Sequence, residues 1–232
     1  MIHYLKADFY KIIKERKLTV SFGILILLSL LSAFLLKDNP TADNTSSLLQ
    51  LLSQFITLFF IVPTNLFFGE DFTNRTINNI IIKKKQRHSL FCYKTLATIL
   101  LNLSYVLIAY LLSSIFRVLL HGQLDGPLIL KTFLYQLPLL ICISFIAILI
   151  FVGINRIGTA YLTYILLNLL LDNVSRLIFS NILHLDISSD YFLFASLQKC
   201  DQITLVTITL SYIALLIYLI ISFSIFNHKE LK

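Results

Sequence analysis

The side chains that could do chemistry in this chain are few, and their spacing assembles no reaction centre. Its twelve carboxylates, five histidines and three cysteines (Cys92, Cys142, Cys200) are scattered. No HExxH offers two imidazoles on one helix face to a metal, no CxxC pairs two thiolates, and no GxSxG sets a serine on a sharp turn. A GxxxxGK[ST] phosphate cradle is absent too, so the chain has no ordinary ATP site, and no cofactor or metal is expected. The carboxylates fall outside or at the edges of the apolar runs, none in the middle of one. Ion-coupled carriers and intramembrane hydrolases need ionisable groups inside the membrane. Neither class has its residues here.

What remains is a polar interval, Gly69 to Lys94, reading GEDFTNRTINNIIIKKKQRHSLFCYK. It holds six of the nineteen basic residues: Arg75, Lys83, Lys84, Lys85, Arg87 and Lys94. Glu70 and Asp71 open it and the lysine triplet follows about three turns later, an order that suits the dipole of a short helix. Thr76, Ile77, Ile80 and Ile81 would share its apolar face, although the β-branched run at 80–82 leaves a strand open. A basic side chain at mid-membrane costs about 2.5 to 3.5 kcal/mol. The interval therefore lies in water between two spans.

The elements around it are apolar. Of the 232 residues 57% are hydrophobic and 13% charged, with mean hydropathy +0.84, whereas a soluble domain carries roughly 25% charged residues. The reading is an all-α integral membrane protein. Six runs would span, at 18–36, 48–68, 96–120, 132–152, 157–171 and 203–226, the fifth short for a span of about 20 residues. Residues 1–17 put Ile2, Leu5, Phe9, Ile12 and Ile13 on one face, which reads as an interfacial helix, or else as a solvated basic start. Residues 172–202 carry a stripe of Val174, Leu177, Ile178, Ile182 and Leu183, suggesting a helix that breaks and re-enters the membrane. Arg117 is expected to snorkel to the interface.

Six spans put both termini on one side. That side holds fourteen Lys and Arg and a net +9, the other five and a net −2, so the positive-inside rule assigns the first to the cytoplasm. The basic excess thus serves topology rather than nucleic acid. Polar residues inside the runs (Gln54, Thr57, Asn65, Asn102, Ser104, Asn168, Thr207, Thr209) either hydrogen-bond between helices, at about 0.6 kcal/mol each, or line a path, for which Gln54, Asn65 and Asn102 are the candidates.

With its surface helix, six spans, cytoplasmic segment at 69–94 and outer segment at 172–202, the layout resembles the ABC-2 type permeases. Their motif after span two runs Glu, Gly-Thr, an apolar stretch, Ser-Arg and a later Lys. Here it reads Glu70, Arg75-Thr76, Ile80-Ile81-Ile82, Gln86-Arg87 and Lys94, with Arg75 in place of Gly and Gln86 in place of Ser. The resemblance implies a bacterial cell-membrane permease subunit, not itself an enzyme, working with a second copy or paralogue and two ATPase subunits that bind the ATP. It makes 69–94 the coupling helix: Glu70, Asp71, Arg75, Thr76, Ile77, Ile80, Ile81, Arg87 and Lys94 would engage the ATPase, and Lys83, Lys84 and Lys85 the lipid headgroups. The small outer loops look like compact peptide exporters of the lantibiotic-immunity kind, with drug or lipid export open. The alternatives are a non-transporting immunity or scaffold protein and a secondary transporter.

Sidedness is directly measurable. In a background without native cysteines, Gln86→Cys should react with impermeant thiol reagents in inside-out vesicles alone. Equal labelling of intact cells would overturn the assignment.

Overall fold

A computed structural model describes residues 16–37, 45–73, 87–182, 184, 189–199 and 203–228. All regular structure among them is helical, and six helices are long and apolar enough to cross a membrane. The chain is a multi-pass membrane protein. The crossing helices are α1 (Arg16–Leu35), α2 (Thr45–Phe72), α3 (Arg87–Leu119), α4 (Gly126–Gly153), α5 (Ile157–Asn181) and α7 (Leu205–His228). A short α6 (Leu193–Leu197) follows α5. Arg16, Phe72, Arg87, Gly153, Ile157 and His228 mark one end of the bundle, termed the near end; the connections after α1, α3 and α5 mark the far end.

Burial sorts the helices. In the most apolar stretches of α4 and α2, 78% and 71% of residues are inside the protein, against 11% for α5 and 17% for α7. α2 and α4 therefore form the core. The leucines and isoleucines of α5 and α7 mostly face outward, as lipid-facing residues do, since lipid tails are as apolar as they are. Small polar residues let helices approach: Ser21, Ser29 and Ser32 of α1 are buried, Ser21 is hydrogen-bonded to the Tyr105 hydroxyl of α3, and Phe22 stacks on the Tyr105 ring at 4.6 Å.

Local sequence explains the ends and irregularities. Asp125 caps α4, its carboxylate accepting the Leu128 N–H at 3.1 Å, with Pro127 in the first turn. α4 continues through Pro138. α2 is less regular, with a 3-10 turn at Thr57–Phe60 and a π turn at Asn65–Gly69. Pro63 lies between them and has no N–H for the Phe59 carbonyl, so the regular ladder fails there.

Three expectations need correction. Arg117 does not snorkel: it is 1% exposed, its Nε donates to the Gln123 carbonyl and its Nη1 to that of Leu36, both at 3.1 Å. The guanidinium thus satisfies carbonyls just past two helix ends, where the backbone has no helical partner. His121 adopts a left-handed φ of 63° and the Gly122 N–H returns to the Arg117 carbonyl at 3.0 Å, closing that turn. Secondly, the fifth helix does not end at Leu171. It runs on to Leu177 and through a π turn at Ile178–Ile182, because Val174, Leu177 and Ile178 keep the helical period across the polar Asp172, Asn173 and Arg176. Thirdly, one acid lies inside a crossing helix and not at its edge: Asp172 is within α5, while Glu70 and Asp71 stand in the last turn of α2. Residues 1–15, and with them nearly all of the expected interfacial helix, lie outside the described residues; Arg16 and Lys17 open α1.

Glycine has a specific use at position 69. A Cβ there would lie 2.3 Å from Asn65 Oδ1 and 2.9 Å from Phe151 Cδ1, whereas at Gly23 it would meet nothing within 4 Å. Gly69→Ala should therefore destabilise the purified protein by about 1 to 3 kcal/mol through overpacking. Gly23→Ala should be neutral or stabilising by up to about 1 kcal/mol. Thermal unfolding in detergent separates the two, and equal midpoints would overturn the packing at Gly69.

Candidate functional site

The near end gathers charge where α1, α2, α3 and α7 meet. Lys94 lies two turns into α3 and is 1% exposed. Its ammonium pairs with the Asp71 carboxylate and donates to the Phe67 carbonyl at 2.9 Å. That carbonyl belongs to the π turn, whose widened ring leaves backbone oxygen available to a side chain. Thr98 returns a hydroxyl to the Lys94 carbonyl at 2.8 Å. Beside this pair, Glu70 takes a salt bridge from Lys17 of α1 and an amide hydrogen from Asn65 at 3.3 Å. Arg87 opens α3 and donates to the Asn227 carbonyl of α7 at 2.6 Å.

An aromatic layer lies next to these charges. Phe91 contacts Phe68, Phe223 and Phe226 with ring centroids 5.2 to 6.1 Å apart, and Phe72 meets Phe226 at 5.8 Å. These rings exclude water from the Lys94–Asp71 pair, which raises both its Coulomb attraction and the penalty for losing one member. The cluster holds no nucleophile aligned with a base. Among the described residues no three His, Cys, Asp or Glu side chains could hold a metal. Its chemistry is mutual neutralisation of charge, and its consequence is mechanical.

The segment between α2 and α3 lies outside the described residues, and with it Arg75, Thr76, Ile77, Ile80, Ile81, Lys83, Lys84 and Lys85. Its flanks are described. Glu70, Asp71, Arg87 and Lys94 are all at the near end, and Asp71 and Lys94 touch across it. Asn65 sits in the near-end cluster, while Asn102 donates to Ser144 of α4 at 3.0 Å. For Gln54 the backbone alone is described, within α2. Other buried polar groups also pair between helices: Tyr110 donates to Gln136 at 2.6 Å, Gln136 to the Leu197 carbonyl at 2.7 Å, and Asn168 to Thr57 at 2.9 Å.

Sequence reasoning missed Lys17, Asn227 and the aromatic layer. One signal was readable: a lysine at 94 flanked by Phe91 and Leu96, at the start of an apolar run, must find an acid nearby. Compared with family models, with characterised proteins and with solved structures, the chain matches none.

Removing one member of a buried ion pair leaves an uncompensated charge, at a cost of about 3 to 5 kcal/mol. Lys94→Met or Asp71→Leu alone should lower the unfolding midpoint sharply, and the double substitution should recover much of the loss. Additive losses in the double variant would show that the pair does not act as a unit.

Proposed function

We propose that the chain is the membrane-spanning permease subunit of an ABC-type exporter in a bacterial cell membrane, with both termini cytoplasmic. ATP is hydrolysed by two separate subunits, and a second permease copy or paralogue completes the path. A hydrophobic or amphipathic molecule, in the first instance a peptide, moves outward. The observation that carries this reading is the base of the 74–86 segment. Asp71 before it and Lys94 after it form one buried pair, and Arg87 is tied to the end of α7. A force applied to that segment by a partner reaches α2, α3 and α7 together, which is what a coupling helix requires.

The sequence motif around Glu70 and Arg87 and the absence of a phosphate cradle support the same division of labour. At the far end, α6 covers the bundle through the Gln136–Leu197 hydrogen bond and the Asp172 carboxylate, which accepts the Ala195 N–H at 2.6 Å. In this reading residues 172–202, the last turns of α5 included, form the outer part of the path, and Lys83, Lys84 and Lys85 rest on anionic headgroups.

The decisive experiment alters the segment and spares the spans. Burying one isoleucine contributes roughly 1.5 to 3 kcal/mol. Ile80→Asp with Ile81→Asp should therefore weaken ATPase association by about a hundredfold or more, abolishing co-purification and export while insertion continues. A double variant that keeps both would make the segment a mere connector. A wild-type protein that retains no ATPase subunit would favour the immunity or scaffold reading.

A further inference from the structure

We propose that the far end carries a binding site for a primary ammonium group, in the cavity between α2, α5 and α6. This goes beyond the exporter reading and does not depend on it. The cavity has a volume of about 240 Å³. Its floor is Ser53, Thr57 and Asn168, all buried, with Asp172 on the α5 side. Arg176 and Gln198 stand at the rim.

The hydrogen-bond inventory selects the ligand. Ser53 spends its hydroxyl hydrogen on the Gln50 carbonyl at 2.9 Å, and Asn168 donates to the Thr57 hydroxyl oxygen at 2.9 Å. Asp172 gives one oxygen to the Ala195 N–H. Its other oxygen, Oδ1, is buried with no hydrogen-bond partner. A carboxylate oxygen left unbonded in a protein interior is costly, and such groups are nearly always satisfied. The wall thus presents oxygen lone pairs around one negative charge, and an ammonium supplies three N–H donors and a positive charge with no acceptor of its own.

The nearest cation on α5 acts on Asp172 through its charge but gives Oδ1 no hydrogen bond. Arg176 is one turn from Asp172, but its guanidinium lies over the Phe192 ring, 5.7 Å from the centroid. No ion pair joins Asp172 and Arg176 among those described. A hard metal ion is a poorer match, since one carboxylate and a few neutral oxygens fall short of the six to eight ligands calcium takes. The Arg176 guanidinium at the rim suits a carbonyl or carboxylate borne by the same ligand. The ammonium can come from a soluble peptide or amine, or from an aminophospholipid headgroup.

The test uses Gln198→Cys in a full-length chain without native cysteines, reconstituted in phosphatidylcholine vesicles. Glycinamide should slow thiol labelling at position 198, and N-acetylglycinamide, which lacks the ammonium, should not. Asp172→Asn keeps an acceptor for the Ala195 N–H, and should weaken glycinamide protection about tenfold, the scale of one charge-assisted hydrogen bond. In phosphatidylethanolamine vesicles, protection without glycinamide would identify the lipid headgroup as the source; protection by glycinamide alone would identify a soluble amine. Equal effects of the two probes on the parent protein, or none from either, would overturn the proposal whether or not Asp172→Asn folds.

Discussion

Lys94 enters the bundle among phenylalanines and leucines, and its charge is tolerable there only because Asp71 and the Phe67 carbonyl face it. Much of the near end follows from that requirement. The Phe67 oxygen is reachable because the helix widens at Asn65–Gly69. Asn65 lies against Gly69 in that turn, so a Cβ at 69 would crowd the Asn65 amide and the Phe151 ring. Phe68 and Phe72 then meet Phe91 and Phe226 beside the pair and keep water away from it. Changing the ion pair, the π turn or the glycine disturbs the other two.

Hydropathy made six spans legible, because length and apolarity alone decide what can cross a bilayer. It was a poorer guide to where helices stop. The apolar run at 157–171 ends because Asp172, Asn173 and Arg176 are polar, yet the helix runs ten residues further. Backbone hydrogen bonds, not side-chain polarity, determine the end of a helix, and in a bundle a polar face need only find a neighbour. Here Asp172 finds α6. Arg117 differs from expectation for the same reason: one of the carbonyls that bury it, Leu36, lies 81 residues away in sequence and is brought close only by the approach of two helix ends.

Of the candidate site, the flanks were legible and the partnerships were not. Glu70, Asp71, Arg87 and Lys94 stand out as charges beside apolar runs. That Asp71 faces Lys94, or that Glu70 faces Lys17, depends on which helices are neighbours, and composition does not encode that. The mid-span residues divided between two readings, and Asn102 and Asn168 are found bonded across helix interfaces. In a medium without water the interhelical bond is the default fate of a small polar group.

The two polar centres, near and far, share one helix. α2 supplies Ser53 and Thr57 to the far-end cavity and Asn65, Glu70 and Asp71 to the near-end cluster. Between them its ladder is interrupted by a 3-10 turn, by Pro63 and by a π turn. Side chains hold that stretch in place of a regular ladder: Thr64 donates to the Phe60 carbonyl at 2.6 Å, and Tyr164 of α5 donates to the Thr57 carbonyl at 2.7 Å. Such a helix moves as two halves about its middle more readily than as one rod, since fewer backbone hydrogen bonds resist bending there. It is also among the most buried helices, so a displacement of either half must be taken up by α4 and α5. For a chain whose proposed work is to pass motion between the two faces of a membrane, α2 is the element with both the reach and the compliance.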